Sequence, residues 1–267
     1  MTLVNPVKTA LTIAGSDPSG GAGIQADIKT FSQLHVYAMA VIAAMTAQNT
    51  RGVAGVSEVA PDFVAQQLDA VFTDIRPDAV KTGMLLSAGA IKTVEQKLKQ
   101  YQVANLVIDP VMVSSSGTAL MQPGAMTVFR RVLLPLAFLI TPNLHEAAAL
   151  TGKTVRSLTE MEEAAVHIHG MGPMHVLVKG GHSEDAEAID VLFDGKTFSK
   201  FRALRISTEN THGTGCVFSA AITAYLALGE SVNEAVRLGK EFVTNAIKNA
   251  LQIGHGSGPC DPLSLRG

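Results

Sequence analysis

The chain has 267 residues, 47% of them hydrophobic and 16% charged, with 21 Lys and Arg against 23 Asp and Glu. A net charge of −2 supplies no basic surface for nucleic acid and no polybasic membrane tag, and three Tyr without Trp make no platform for stacked bases. The longest apolar runs, 36–45 and 132–140, are well short of the roughly 18 residues that span a bilayer. Pro6 and Lys8 interrupt the N-terminus before a signal-type apolar segment forms. Cys216 and Cys260 are too few and too far apart for a disulfide framework, so the expectation is a reduced, cytoplasmic protein.

In chain order, ALTIAGS (10–16) is a short apolar run closed by Gly-Ser, and residues 24–34 carry Ile24, Ile28, Phe31 and Leu34 at helical spacing. AVIAAMTA (40–47) reads as a buried strand, and Pro61 opens a helix over 61–75. There follow a strand at DAVKTGM (78–84), a helix from about Ala88 to Tyr101, a strand at NLVIDPVM (105–112), a helix around 124–134 and a strand at FLITPN (138–143). EAAALTG (146–152) is a short helix, 159–170 a longer one, and HVLVKGG (175–181) a further strand. IDVLFDGKTFSKFRAL (189–204) breaks the alternation and reads as a hairpin turning at DGK. Helices from Gly215 and about Asn233 close the chain. Strands alternating with helices predict an α/β fold with a mostly parallel sheet covered on both faces, and no repeat or linker divides the 267 residues into more than one domain. Ligands of such sheets sit at the carboxyl ends of the strands, where the glycine-rich segments fall.

Those segments each carry two readings. HGTGC (212–216) is either a turn with a packed cysteine or a phosphate cradle, with glycines letting the backbone approach an anion and a helix start lowering the thiol pKa. A thiolate there acts as a base toward a hydroxyl while the amides hold a phosphoryl group. AGSDPSGGAGIQAD (14–27) fits neither the P-loop nor the dinucleotide fingerprint. It is a tight turn with Asp27 as a helix-favouring charge, or a ligand loop. In TPNLHEAAAL (141–150), Asn143 and Glu146 have capping-box spacing, and Glu146 equally suits a water-linked magnesium ion. Lys179 in VKGGH (178–182) is a solvated strand-end lysine or a phosphate partner.

Taken together, GSDPSGGAGIQAD, TAQNTRGV, KTGM, DPVM, TPNLHEA, VKGGH, NTHGTGC and GHGSGP, in that order from about residue 9 to about 260, closely resemble the hydroxymethylpyrimidine/phosphomethylpyrimidine kinases of thiamin biosynthesis, members of the ribokinase-like kinases. The resemblance implies a three-layer α/β/α fold and ATP- and Mg²⁺-dependent phosphorylation of 4-amino-5-hydroxymethyl-2-methylpyrimidine to its monophosphate and then its diphosphate. By it, Gly213, Thr214 and Gly215 form the anion hole and Cys216 is the base. Gln48 holds the pyrimidine edge, and Asp27, Gly15, Met84 and Val111 match other substrate positions. Asn143, Lys179, Thr211 and His212 fall on the nucleotide side, with Glu146 and Asp109 at the metal. The partners implied are the pyrimidine and its phosphate, with a second copy of the chain in a homodimer. The segment after DPVM departs from the family's pattern: VSSSG (113–117) lacks the lysine of the AKSG seen in many members, and Ser115 brings no positive charge. GHGSGP and the segment around 112–120 are the candidates to close over ATP. A pyridoxal kinase, which also acts on a hydroxymethyl group of a flat nitrogen heterocycle, is the nearest alternative.

Overall fold

A computed structural model describes residues 7–114, 117–181 and 187–264; Ser115 and His182 therefore lie outside the described residues. The strands alternate cleanly between two faces. Leu11, Ile13, Val80, Ile108, Ile140 and Val178 enter one apolar core, while their neighbours Ala10, Ala79, Val107, Leu139 and Leu177 enter another. A strand buried on both faces needs this double set, because successive side chains point to opposite sides.

The sheet has nine strands in the order β3-β2-β1-β4-β5-β6-β7-β8-β9. These are β1 (Thr9–Ser16), β2 (Tyr37–Asn49), β3 (Gly52–Glu58), β4 (Ala79–Thr82), β5 (Leu106–Ile108), β6 (Leu139–Ile140), β7 (His175–Val178), β8 (Glu187–Phe193) and β9 (Phe198–Leu204). Pairing is parallel from β2 through β1, β4, β5 and β6 to β7, and antiparallel at both edges. The first core is covered by α2 (Pro61–Phe72), α3 (Ala88–Gln100), α4 (Ala125–Val128), α5 (Leu144–Thr151) and α6 (Leu158–His169). The second is covered by α1 (Gly23–Gln33), α7 (Thr214–Ala227) and α8 (Val232–Lys248). Helices on both faces make the three layers that the alternating sequence predicts.

The hairpin expected at 189–204 is β8–β9, and Asp194 closes its turn by accepting from the Lys196 and Thr197 amides at 2.8 and 2.7 Å. Two features differ from the sequence expectation. The run 52–58, assigned no element, is an antiparallel edge strand on β2. The helix expected around 124–134 keeps one regular turn, widens over Phe129–Leu133 and tightens over Leu134–Leu136. Pro135 lacks the N–H that a regular α-turn would use there.

Candidate active site

The candidate residues collect at the carboxyl ends of β1, β2, β4, β5, β6 and β7, facing the first turn of α7. Asp17 builds the glycine loop that follows β1. Its Oδ1 accepts from the Ser19 amide and hydroxyl at 2.9 and 2.7 Å, and its Oδ2 from the Ala22 amide at 2.9 Å. The loop is pressed against the entry to α7: a Cβ on Gly213, where φ is +79°, would lie 1.8 Å from the Gly21 carbonyl oxygen. Only glycine permits both that conformation and that approach. The helix carries no side-chain cap on Gly213; the Thr214 amide donates to the Thr211 carbonyl at 3.2 Å, and the amides that follow it in the first turn have no side-chain cap.

Gly215 brings the charged groups of the site together. A Cβ there would meet Lys179 Nζ at 3.5 Å and Asp109 Oδ2 at 3.9 Å. Lys179 donates to Asp109 Oδ1 at 2.9 Å, and burial opposes its charge, but Asp109 and Glu146 outweigh burial and raise its pKa. Asp109 also accepts from Thr141 Oγ1 at 3.2 Å and Ser219 Oγ at 3.0 Å. Glu146 completes the capping box with Asn143, its Oε2 accepting from the Asn143 amide at 2.8 Å. Burial pushes the Glu146 carboxyl up to about 7, Lys179 pulls it down and Asp109 pushes it further up. Among the described residues no group of three His, Cys, Asp or Glu forms a metal cage. Asp109 is engaged by Lys179 and shares the Thr141 and Ser219 hydroxyls with backbone carbonyls, while Glu146 uses one oxygen on the Asn143 amide, so these two carboxylates are the ones placed to hold a metal. One or two carboxylates beside a phosphate nest fit magnesium, which keeps most of its waters and leans on substrate phosphates.

Beneath α7 lies a second ion pair. Lys81 and Asp27, both without exposed surface, meet at 2.9 Å, and Thr12 Oγ1 donates to the same Asp27 oxygen at 2.6 Å. Asp27 Oδ1 is buried with no hydrogen-bond partner. Burial raises the Asp27 carboxyl despite Lys81; burial also opposes the Lys81 charge, but Asp27, Cys216 and Asp109 together raise its pKa. Cys216 sits above this pair, and the expectation of a lowered thiol pKa is corrected. Its side chain keeps some exposed surface, yet surrounding protein pushes the thiol up to about 11, with only Lys81 and the Gly23 amide pulling the other way.

A third apolar cluster, separate from the two cores, consists of Ala44, Met84, Leu86 and Leu120, with Val53 and Val111 packed against it. A Cβ on Gly15 would lie 3.0 Å from Met84 Sδ, so Gly15, Met84 and Val111 come together. Gln48 stands at the end of β2, with Thr46 Oγ1 3.2 Å from its Oε1 and His212 Nε2 3.4 Å from its Nε2.

The structure thus gathers Cys216, Gly213, Gly215, Lys179, Asp109, Glu146 and Asn143 around one junction, with Gln48, Gly15, Met84 and Val111 to one side. Thr214 turns its hydroxyl onto the Thr211 carbonyl at 2.8 Å, and Thr211 itself is exposed. Asp27 has no exposed surface, and His212 is only 5% exposed with its Nε2 2.8 Å from Asp17 Oδ2. The GHGSGP loop is docked rather than open: the His255 and Gly256 amides donate to Thr50 Oγ1 at 3.2 Å, and Gly258 to Asn210 Oδ1 at 2.9 Å. Sequence reading missed Asp17, Lys81, Thr141 and Ser219. A lysine inside the otherwise apolar strand AVKT was the available signal for Lys81.

A family model described as phosphomethylpyrimidine kinase matches residues 17–261. The chain is 46% identical over 261 residues to the hydroxymethylpyrimidine/phosphomethylpyrimidine kinase of Bacillus subtilis, with 97% of this chain and 96% of that protein covered. It is 50% identical over 258 residues to a thiamine biosynthesis bifunctional protein of Geobacter sulfurreducens, 97% of this chain covering 53% of that longer one. It therefore spans about half the length of that bifunctional relative. Among solved structures, an ADP complex of Bacillus subtilis pyridoxal kinase superposes with a TM-score of 0.90 at 41% identity, covering 97% of this chain and 99% of that one.

Proposed function

The chain belongs to the phosphomethylpyrimidine kinase family, and from that premise we propose that it is an ATP-dependent kinase of 4-amino-5-hydroxymethyl-2-methylpyrimidine and of its monophosphate, acting in thiamin biosynthesis. The observation that carries the reading is the uncapped start of α7 set against Lys179, beside a separate apolar cluster edged by Gln48.

In this reading Met84 and Val111 take the flat ring as soft apolar contacts. The Gln48 amide supplies a donor and an acceptor to the ring nitrogen and exocyclic amine. The hydroxymethyl group then points at Cys216. The amides of Gly213 and Gly215 and the Lys179 ammonium hold the transferring phosphoryl group, where charge grows as the bond to the leaving oxygen loosens, and the Thr214 amide joins them by giving up the Thr211 carbonyl. Magnesium, held through Glu146, would neutralise part of the polyphosphate charge. Cys216 takes the hydroxyl proton as thiolate, the form that Lys81 favours. A loose transition state asks little of its base, so a small thiolate fraction is tolerated. Asp27 serves the site indirectly, as the counter-charge of Lys81. ATP as phosphoryl donor is supported by the ADP complex of the related kinase.

The whole chain acts as one kinase domain in this proposal, in the cytoplasm and as a homodimer. In support, no helix among the described residues is long and apolar enough to cross a membrane, and Tyr37, Met45 and Val56 of β2 and β3 are exposed apolar residues near an open sheet edge. The likeness to pyridoxal kinase favours one second reading, phosphorylation of pyridoxine or pyridoxal in vitamin B6 salvage. ADP release measured separately with the pyrimidine, its monophosphate and pyridoxine tests both. Turnover of the first two with pyridoxine poor supports the proposal; turnover of pyridoxine with the pyrimidine monophosphate inert replaces it with the second reading.

A further inference from the structure

His212 Nε2 faces two partners at once: Asp17 Oδ2 at 2.8 Å and the Gln48 side-chain nitrogen at 3.4 Å. One ring nitrogen has either one proton or one lone pair to give. Asp17 decides which. Its two oxygens already accept from the Ser19 amide and hydroxyl and from the Ala22 amide, so the carboxyl is an ionised acceptor. A bare Nε2 at 2.8 Å would set two lone pairs against each other. The proton is therefore on Nε2 and is directed at Asp17. In that state an amide NH₂ facing His212 sets donor against donor.

The other end of the amide gives the same answer. The Thr46 hydroxyl has one proton and two oxygens in reach, the Ser16 carbonyl at 3.0 Å and the Gln48 amide oxygen at 3.2 Å. Committed to the nearer carbonyl, it serves Gln48 only as an acceptor. A half-turn of the amide, which exchanges its N and O positions without moving the rest of the side chain, removes both conflicts: the NH₂ can donate to Thr46, and the oxygen at 3.4 Å takes the minor share of the Nε2 proton whose main acceptor is Asp17. The oxygen then faces His212 and the NH₂ faces Thr46.

Resting on the pyrimidine-kinase reading of the site, we propose that the Asp17–His212 pair is a positioning device that fixes the direction of the Gln48 amide, and with it the order in which a donor and an acceptor meet the substrate's edge. The free hydrogen of the NH₂ and the free lone pair of the oxygen are both presented to the pocket. An aminopyrimidine offers a ring acceptor and an exocyclic donor side by side and matches that ordered pair. A hydroxypyridine lacking the exocyclic amine uses only half of it. His212 thus discriminates between heterocycles without touching them. The same pair holds the glycine loop, because a Cβ on Gly21 would fall 2.4 Å from the His212 ring.

Two measurements test this. Long-range ¹H–¹⁵N NMR of the folded protein reads the tautomer without any turnover. A protonated-type Nε2 of His212 is the expected result, and a bare Nε2 overturns the proposal. Steady-state kinetics then compare Asp17→Asn, His212→Phe and His212→Gln. Losing the hydrogen-bond constraint should raise KM for the aminopyrimidine roughly tenfold while KM for ATP moves less than about twofold. The preference over pyridoxine should fall in parallel, and His212→Gln, which keeps a donor, should recover part of it. In a Gln48→Ala background the Asp17 and His212 substitutions should add nothing to KM for the pyrimidine. Equal rises for pyrimidine and ATP, or full additivity with Gln48→Ala, would mean a purely structural pair. Should Asp17→Asn fail to fold, the His212 variants and the tautomer decide. A wild-type protein that ignores the aminopyrimidine refutes the functional reading instead, and the NMR result stands apart from it.

Discussion

Replacing Glu146 with Gln should make the protein more stable and less active, by an amount that depends on pH. Glu146 is nearly enclosed at the start of α5, and burial is the main reason its carboxyl is held at about 7 against 4.5 for an ordinary glutamate. Its folded pKa is thus above its unfolded one. The native state favours the protonated form, so this group's stabilisation is complete below about pH 4.5 and is lost as pH rises toward 7. From 4.5 to about 7 the loss is on the order of 3 kcal/mol, at about 1.4 kcal/mol per pH unit. Glutamine removes the titration, and its amide oxygen still accepts from the Asn143 amide, so the cap of α5 survives. The assay is urea unfolding of both proteins without magnesium or ATP. The advantage of Glu146→Gln should widen by about 2 kcal/mol between about pH 5.5 and about pH 8, while kinase activity falls at both. A pH-independent gap, or a wild type that is the more stable at the alkaline end, would refute the buried-carboxylate argument.

Three other outcomes follow from the site. With the Cys216 thiol at about 11, kcat/KM should climb close to tenfold per pH unit between about pH 6.5 and about pH 9, and Cys216→Ser should lower kcat with KM little changed; a flat profile removes the thiolate from the reaction. Gln48→Ala should raise KM for the pyrimidine far more than KM for ATP, and equal effects take Gln48 out of the substrate pocket. Gly213→Ala places a methyl group 1.8 Å from the Gly21 carbonyl at φ +79°, so the anion nest must open and kcat should drop by a factor on the order of 100; unchanged kcat would show that these amides do not hold the phosphoryl group.

The layered fold was legible because the strands obey two simple periods. Leu11, Ile13 and Val80 alternate with Ala10, Thr12 and Ala79, and Asp194-Gly195 marks the hairpin turn. β3 was not legible because its glycines and exposed side chains carry no burial signal; pairing to β2 makes it a strand. The same division runs through the site. Glycine clusters following strands pointed to the junction at Gly213 and Gly215 and to Gly15 beside it. What the sequence could not convey is how charges far apart in the chain saturate one another. Asp109 meets Lys179 across 70 positions, Lys81 meets Asp27 across 54, and His212 meets Asp17 across 195. Those pairings tie Asp27 to Lys81, Asp109 to Lys179 and His212 to Asp17. They also reverse the expectation for Cys216: a helix start favours thiolate, but the packed protein around the sulfur outweighs it.

The most direct test of the central claim is a competition under limiting ATP and excess magnesium, with hydroxymethylpyrimidine and pyridoxine present at equal concentration and the phosphorylated products resolved by ³¹P NMR. The pyrimidine monophosphate should appear first, its diphosphate should grow at its expense when ATP is replenished, and pyridoxine phosphate should stay minor. Pyridoxine phosphate as the dominant product, with no diphosphate formed, would contradict it.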